Sequence, residues 1–183
     1  MSKETIQRER DWHNKRYANG SDTRQSINRV KIMSIYAHRE FIDKIYHSRN
    51  QKVLDIGCGL GIKKAIKFYS RGSHYIGIDL SKECINSNKA AAFKENINAD
   101  FYVEDIHNLK FIKNEDFDLI IIRGTLHHLN IRKVIPILKK LVEKKKGRVL
   151  MWEPMGTNPL IGVFRLLTPN LRTFDEKPLD FKT

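Results

Sequence analysis

The chain has 183 residues, of which 40% are hydrophobic and 30% are charged, and its formal net charge is +13. This length favours one globular domain, and because there is neither a membrane-spanning apolar run nor a signal-peptide pattern, we expect a cytoplasmic protein with no membrane span. Its two cysteines, Cys58 and Cys84, are too few for a disulfide framework or a cysteine-based zinc site.

The positive charge would suit a nucleic-acid-binding protein, since clustered Lys and Arg neutralise phosphates. The basic residues are nevertheless spread over predicted helix surfaces, and their densest run, 139–148, falls at a predicted helix end, where cations suit the helix dipole. No aromatic residue interrupts that run to offer a stacking platform. Nucleic acid is therefore a possible partner but not the favoured one.

Residues 1–50 have a helical, amphipathic pattern and predict an N-terminal helical cap of the same domain that packs over the sheet. Residues 19–22 predict a turn. Trp12, His13 and Tyr17 lie among charged residues, and either pack against the core or help to close the site. The apolar positions that predict the buried face are Ile27, Val30, Ile32, Ile35, Tyr36, Phe41, Ile42 and Ile45.

From residue 51 to 153, predicted strands alternate with predicted helices, which is typical of an α/β fold with a doubly wound parallel sheet. Residues 154–183 form a separate C-terminal segment, with a helical pattern only over 158–167. Pro136 predicts a kink in the last core helix. The predicted strands are 52–56, 74–79, 100–103, 117–122 and 147–152, and the predicted helices are 62–70, 81–94 and 131–144.

The first strand runs into a loop with glycine at alternate positions, 57, 59 and 61. Glycine lets such a loop turn sharply and approach a ligand closely. The dinucleotide fingerprint would need a further glycine at position 62, which is Ile62, and Asp55 would repel a pyrophosphate. A carboxylate at this strand end fits a cationic ligand group, such as the amino group of an amino acid.

Carboxylates also end the next two strands. Asp79 closes the second strand, where an acidic residue can accept hydrogen bonds from ribose hydroxyls, and Ser81 after it could cap the following helix. Asp105 follows the third strand, and Glu104 is close enough to exchange roles with it. The fourth strand runs out into a segment from Arg123 through two histidines, at the sheet end where doubly wound folds bind ligands.

Together these segments resemble the ordered motifs of the class I S-adenosylmethionine (SAM)-dependent methyltransferases, which implies a Rossmann-like fold and SAM as cofactor. The resemblance implies that Asp79 binds the ribose, and that Asp105 and Ile106 bind the adenine. It implies a methyl transfer to oxygen or nitrogen of a small-molecule acceptor. The implied cofactor-binding residues are Asp55, Gly57, Cys58, Gly59, Gly61, Asp79, Leu80, Asp105, Ile106 and Arg123.

The candidate catalytic residues follow the fourth and fifth strands. His127 or His128 could act as a general base near neutral pH, although at least one of them could simply pack at a helix start. Glu153, directly after the fifth strand, is a second candidate base or acceptor-orienting group. A metal site is not expected, because adjacent histidine side chains diverge and no third ligand stands out.

The chain departs from the family in one respect. A full domain of this family has seven strands, whereas only five are predicted here, so we expect this chain to lack the C-terminal β-hairpin. We expect the segment after Glu153, or a second subunit in a homodimer, to cover the edge of the fifth strand. The alternatives to a small-molecule enzyme are an RNA or tRNA methyltransferase and an inactive SAM-binding protein, while a nicotinamide-dependent oxidoreductase conflicts with Ile62.

Overall fold

The computed structural model describes residues 3–17, 44–47, 49–153 and 157. Within them, five parallel strands form one sheet in the order β3-β2-β1-β4-β5. The strands are β1 (Lys52–Ile56), β2 (His74–Asp79), β3 (Ala99–Val103), β4 (Leu119–Arg123) and β5 (Arg148–Trp152). The helices are α1 (Lys3–Tyr17), α2 (Ile62–Tyr69), α3 (Lys82–Lys94) and α4 (Ile131–Val142), with a short 3-10 helix at Leu126–His128.

This architecture confirms the predicted α/β class and parallel sheet, and the five predicted strands are present with bounds shifted by at most two residues. The strands are continuous apolar runs because both faces of the sheet are covered. On one face, side chains from β1, β2 and β4 pack with α4, and on the other, alternate residues of the same strands pack with α2 and α3. In β4, for example, Ile120 and Ile122 pack on the first face of the sheet, while Leu119 and Ile121 pack on the second.

The strand order reverses between β1 and β4, which lie side by side with Ile56 opposite Ile122. Ligands of doubly wound sheets bind at such a switch point, beyond the carboxyl ends of the strands. The order therefore brings the loop after β1 and the loop after β4 to the same place.

The helix starts follow from local capping. Ser81 accepts a hydrogen bond from the Cys84 N–H, 3.2 Å away, and this confirms it as the cap of α3. Asn130 caps α4 in the same way through the Lys133 N–H, at 3.3 Å. Pro136 lies inside α4, as predicted.

The described part of the N-terminal segment is helical in α1, and Ile45 is buried in the core between β1 and α2. The predicted turn at 19–22, the apolar positions from 27 to 42 and the helical pattern at 158–167 lie outside the described residues. No helix in the described part of the chain is long and apolar enough to cross a membrane.

Candidate functional site

The loop after β1 needs glycine for two reasons. Gly57 and Gly59 have φ angles of +66° and +53°, in the region that side chains disfavour. A Cβ at Gly57 would also lie 2.2 Å from the Oγ1 atom of Thr125, in the loop after β4. The two loops therefore pack directly against each other.

The backbone N–H groups of this glycine loop are directed into the protein. Gly57 and Cys58 both donate to the carbonyl of Ile78, at 2.9 and 3.0 Å. Gly59 donates to the Asp79 carboxylate at 3.0 Å. A pyrophosphate-binding loop offers such groups to its ligand, so three consecutive donors engaged within the protein disfavour a dinucleotide.

Asn88 in the middle of α3 holds the glycine loop from below. Its side chain is fully buried, donates to the Gly59 carbonyl at 2.7 Å and accepts the Ile62 N–H at 3.2 Å. The second bond gives an acceptor to an N–H group in the first turn of α2, which Gly61 cannot cap because it has no side chain. Sequence reasoning missed this residue, although a polar side chain three residues after Ile85 on the buried face of α3 was a usable signal.

Asp55 lies in β1 beneath the loop and is fully buried. The Tyr75 hydroxyl donates to its Oδ2 atom, and the Lys64 ammonium forms an ion pair with the same oxygen. Its Oδ1 atom is buried and, within the described part of the chain, has no hydrogen-bond partner. A buried carboxylate oxygen without a donor is unfavourable, so this atom favours a ligand with a donating group.

Two neighbours of Asp55 were not predicted. Burial, and then the charge of Asp55, raise the pKa of Tyr75 well above its usual value, so Tyr75 remains a neutral donor. Tyr75 also explains why residue 61 is glycine, because a Cβ at that position would lie 2.6 Å from the Tyr75 phenol oxygen. Burial, and then the charge of Asp55, raise the pKa of Tyr46 to about 12, and the Tyr46 ring packs against Phe68 of α2, with 4.8 Å between ring centroids.

Cys58 helps to hold the glycine loop through its backbone N–H, which donates to the Ile78 carbonyl, rather than through its thiol. Its side chain is buried, and burial raises the pKa of the thiol well above its usual value, with Asp79 and Asp55 adding to the effect. The thiolate is the nucleophilic form, so Cys58 is an inert packing residue in this loop.

Asp79 at the end of β2 is held rigidly. Its Oδ1 atom accepts the Ser81 N–H at 2.9 Å, and its Oδ2 atom accepts the Gly59 N–H. These two contacts fix the orientation of the carboxylate, whose oxygens can each accept more than one hydrogen bond. Leu80 follows and is partly exposed at the same edge of the sheet.

Asp105 is held by the residue two positions later. Its Oδ1 atom accepts both the backbone N–H and the Nδ1–H of His107, each at 2.9 Å. The Nε2 atom of His107 in turn accepts the Asn130 N–H at 3.2 Å, which assigns the proton to Nδ1. The His107 side chain lowers the pKa of the Asp105 carboxyl, with burial opposing it, so Asp105 is ionised at neutral pH.

Glu104 and Ile106, on either side of Asp105, have different surroundings. The Glu104 carboxylate is buried and accepts the N–H groups of Lys110 and Phe111, so it closes the loop that follows β3. Ile106 is buried in the core on the α4 side of the sheet, which leaves its backbone as the part that could meet a ligand. The Oε2 atom of Glu104 is also buried without a partner among the described residues, but Glu104 is only 6% exposed whereas the Asp105 side chain is 23% exposed, so Asp105 is the carboxylate that a ligand can reach.

The structure brings His127 and Glu153 together. One oxygen of Glu153 accepts the backbone N–H groups of Thr125 and Leu126, at 2.7 and 2.6 Å, and the other lies 2.6 Å from the Nδ1 atom of His127. Both side chains are almost completely buried. The His128 ring lies 4.1 Å from that of His127, measured between ring centroids.

Arg123 and Gly124 lie between β4 and this histidine segment. Arg123 is the exposed last residue of β4, opposite Trp152. Gly124 donates to the Trp152 carbonyl at 2.8 Å, and a Cβ there would meet no atom of the described residues within 4 Å. No group of three His, Cys, Asp or Glu residues among those described is arranged to hold a metal ion.

Residues 53–145 match a protein family described as a methyltransferase domain. The curated relatives include phosphoethanolamine N-methyltransferase 1 from Triticum aestivum, 33% identical over 91 residues, which are 50% of this chain and 18% of the relative. They also include a ubiquinone biosynthesis O-methyltransferase from Hahella chejuensis, 26% identical over 129 residues, or 70% of this chain and 53% of the relative. The chain thus matches about a fifth to a half of these relatives' own lengths.

Solved structures show the same fold. The YcgJ protein from Bacillus subtilis aligns with a TM-score of 0.61 and 25% identity, over 78% of this chain and 62% of its own. Magnesium protoporphyrin IX methyltransferase from Synechocystis PCC 6803, with bound S-adenosylhomocysteine (SAH), aligns with a TM-score of 0.66 over 97% of this chain and 84% of its own. At 18% identity, the second similarity concerns the fold alone.

Proposed function

Because the chain belongs to the methyltransferase-domain family of class I SAM-dependent enzymes, we propose that it transfers the SAM methyl group to oxygen or nitrogen of a small molecule. One observation carries this proposal more than any other. The glycine loop directs three consecutive N–H groups into the protein, while Asp55 beneath it keeps one buried oxygen with no partner among the described residues. Such a site fits an amino-acid ammonium rather than a pyrophosphate.

The other predicted cofactor residues fit the same ligand. Asp79 would accept the ribose hydroxyls, and the Oδ2 atom of Asp105, which no described contact uses, would accept the adenine amino group. The backbone of residues 57–61, with Leu80, Ile106 and Arg123 around it, would line the remaining surface. When bound, SAM supplies an electrophilic methyl group on a sulfonium, so the protein's task is alignment and proton removal.

His127 is the proposed general base. A carboxylate accepts hydrogen bonds only, so the contact with Glu153 places the His127 proton on Nδ1 and the lone pair on Nε2. The Nε2 atom can then take the acceptor's proton, and Glu153 stabilises the resulting imidazolium. Glu153 is thus a positioning residue, which holds His127 and the N–H groups of Thr125 and Leu126.

A labelled-methyl transfer assay with fractionated small-molecule extracts, paired with SAH calorimetry, tests this function. His127→Gln should lower turnover by roughly 10²-fold or more while SAH affinity stays within about twofold. Glu153→Gln should lower turnover too, and His128→Gln should lower it less. Equal turnover in wild type and His127→Gln would refute the role of His127, and SAH binding with no transfer to any fraction would favour an inactive SAM-binding protein.

The alternative partner, RNA, gains little support from the described basic surface. In the densest basic run, Lys144 pairs with Asp116 at 3.1 Å and Lys145 pairs with Asp118 at 2.8 Å. These cations are partly neutralised within the protein, so we favour the small-molecule acceptor. RNA binding that weakens steeply with salt would reverse this preference.

Two finer expectations also belong to the proposal. In the described sheet β5 pairs with β4 alone, and we propose that the segment after Glu153 or a second subunit covers its other edge. Light scattering on the full chain distinguishes the two alternatives, because only coverage by a second subunit gives a dimer. We also propose a cytoplasmic location, with which the two buried cysteines agree, because they form no disulfide in the described part of the chain.

A further inference from the structure

We propose that Lys64 binds the α-carboxylate of the cofactor's methionine portion, so that Asp55 and Lys64 hold the two opposite charges of the amino acid. The inference rests on the proposed function, because it assigns one more contact in the same site. Under this assignment, Asp55 and Lys64 together recognise a zwitterion rather than a cation. Sequence reasoning had considered only the cationic half.

The position of Lys64 supports this role. It lies in the first turn of α2, and its ammonium forms the ion pair with Asp55 and approaches the Cys58 carbonyl at 3.4 Å. The Lys64 side chain is 24% exposed, whereas that of Asp55 is 1% exposed. The ammonium therefore bridges the buried carboxylate and the accessible side of the glycine loop.

The charges favour a zwitterion. Asp55 alone would attract a cation, but Lys64 already balances its charge. A ligand that brought only an ammonium to this neutral pair would leave the three charged groups with a net positive charge. A ligand that brings an ammonium and a carboxylate together can place the first against Asp55 Oδ1 and the second against Lys64.

The hydrogen-bonding capacity also fits. A lysine ammonium has three N–H groups, and the described contacts of Lys64, to Asp55 and Cys58, use two of them. Asp55 Oδ1 is buried and without a partner among the described residues. One donor and one acceptor thus lie on neighbouring side chains beside the glycine loop, as an α-amino acid requires.

Calorimetry with two ligands tests the assignment. SAH carries the carboxylate, and its decarboxylated analogue, S-adenosyl-3-thiopropylamine, lacks only that group. The wild-type protein should prefer SAH by at least about tenfold, the effect of one charged hydrogen bond. In Lys64→Gln this preference should fall to about twofold or less, and in Lys64→Arg, which keeps the charge, it should persist.

Lys63→Gln is the matched control, because Lys63 is the exposed neighbour on the same helix, and it should keep the full preference. Equal affinities of the wild type for the two ligands would overturn the assignment even if Lys64→Gln did not fold. Equal losses for both ligands in Lys64→Gln would also overturn it, since they would mean that Lys64 only neutralises Asp55. Loss of the preference in Arg123→Gln, with Lys64→Gln unchanged, would assign the carboxylate to Arg123 instead. If the wild type bound neither ligand, the proposed function would fail and this assignment with it.

Discussion

Replacing Asn88 with alanine perturbs the glycine loop without touching the ligand-facing surface. The buried side chain donates to the Gly59 carbonyl at 2.7 Å and accepts the Ile62 N–H at 3.2 Å, and its amide nitrogen also contacts the sulfur atoms of Cys58 and Cys84, each at 3.9 Å. Alanine has the highest helix propensity, so the substitution does not weaken the intrinsic helix formation of α3. The variant therefore isolates the support that α3 gives to the loop.

The expected loss follows from the groups left behind. The Ile62 N–H would be left unsatisfied, which costs about 1 to 3 kcal/mol, whereas the Gly59 carbonyl would lose one bond worth about 0.5 to 1.5 kcal/mol and keep the Gly61 N–H as a donor at 2.8 Å. The free energy of unfolding should therefore fall by roughly 2 to 5 kcal/mol for Asn88→Ala. For a chain of this size the corresponding drop in melting temperature is roughly 5 to 15 °C.

Thermal unfolding followed by circular dichroism measures this loss, and SAH calorimetry measures its effect on the loop. Asn86→Ala is the control, because Asn86 lies in the same helix but is exposed, and its melting temperature should change by about 2 °C or less. SAH affinity should fall in Asn88→Ala alone. Equal stability of the two variants would refute the view that Asn88 holds the loop.

Two further substitutions test the loop and the adenine edge. Gly57→Ala should cost clearly more stability in urea unfolding than Gly124→Ala, because both glycines have positive φ, but a Cβ at Gly57 meets Thr125 whereas one at Gly124 meets no described residue within 4 Å. Equal losses would contradict the close packing of the two loops. Asp105→Asn should lower stability at pH 7, since the folded state lowers the pKa of Asp105 from its usual 3.8. Ionised Asp105 stabilises the folded state fully above pH 3.8, and this stabilisation is lost as pH falls through the lowered pKa of the folded state. In urea unfolding, the stability difference between wild type and Asp105→Asn should therefore shrink below pH 3.8. A difference that stays constant down to the lowest pH measured would contradict this.

The fold was predictable because its signals are local. Buried parallel strands are short apolar runs between turns, so β1 and β2 could be bounded from the sequence. The carboxylates Asp55, Asp79 and Asp105 at successive strand ends predicted which edge of the sheet forms the cofactor side of the proposed site. Ser81 could be identified as a cap because capping needs only neighbouring residues.

The supports of the site were less predictable because they join distant segments. Asn88 contacts residues 26 and 29 positions away, and nothing local to α3 shows that the glycine loop lies above it. The preference for His127 over His128 likewise depends on Glu153, 26 residues later, which β4–β5 pairing brings within reach. From the sequence the two histidines were equivalent.

The neutralisation of Asp55 was missed for a related reason. Lys64 belongs to a run of surface lysines in α2, and only the turn of the helix shows which of them points to β1. Tyr75 reads as a core residue of β2, and its hydroxyl contact with Asp55 depends on the parallel register of the two strands. A carboxylate that seemed ready for a cation thus proved to be one half of an ion pair.

The most direct test of the central claim, that this glycine loop serves an amino-acid nucleoside rather than a dinucleotide, is calorimetric titration of the full chain with SAH and with NAD. The contacts of Asp55, Asp79 and Asp105 predict one SAH site per chain and no measurable heat from NAD at the same concentrations. Binding of NAD in preference to SAH would contradict the account.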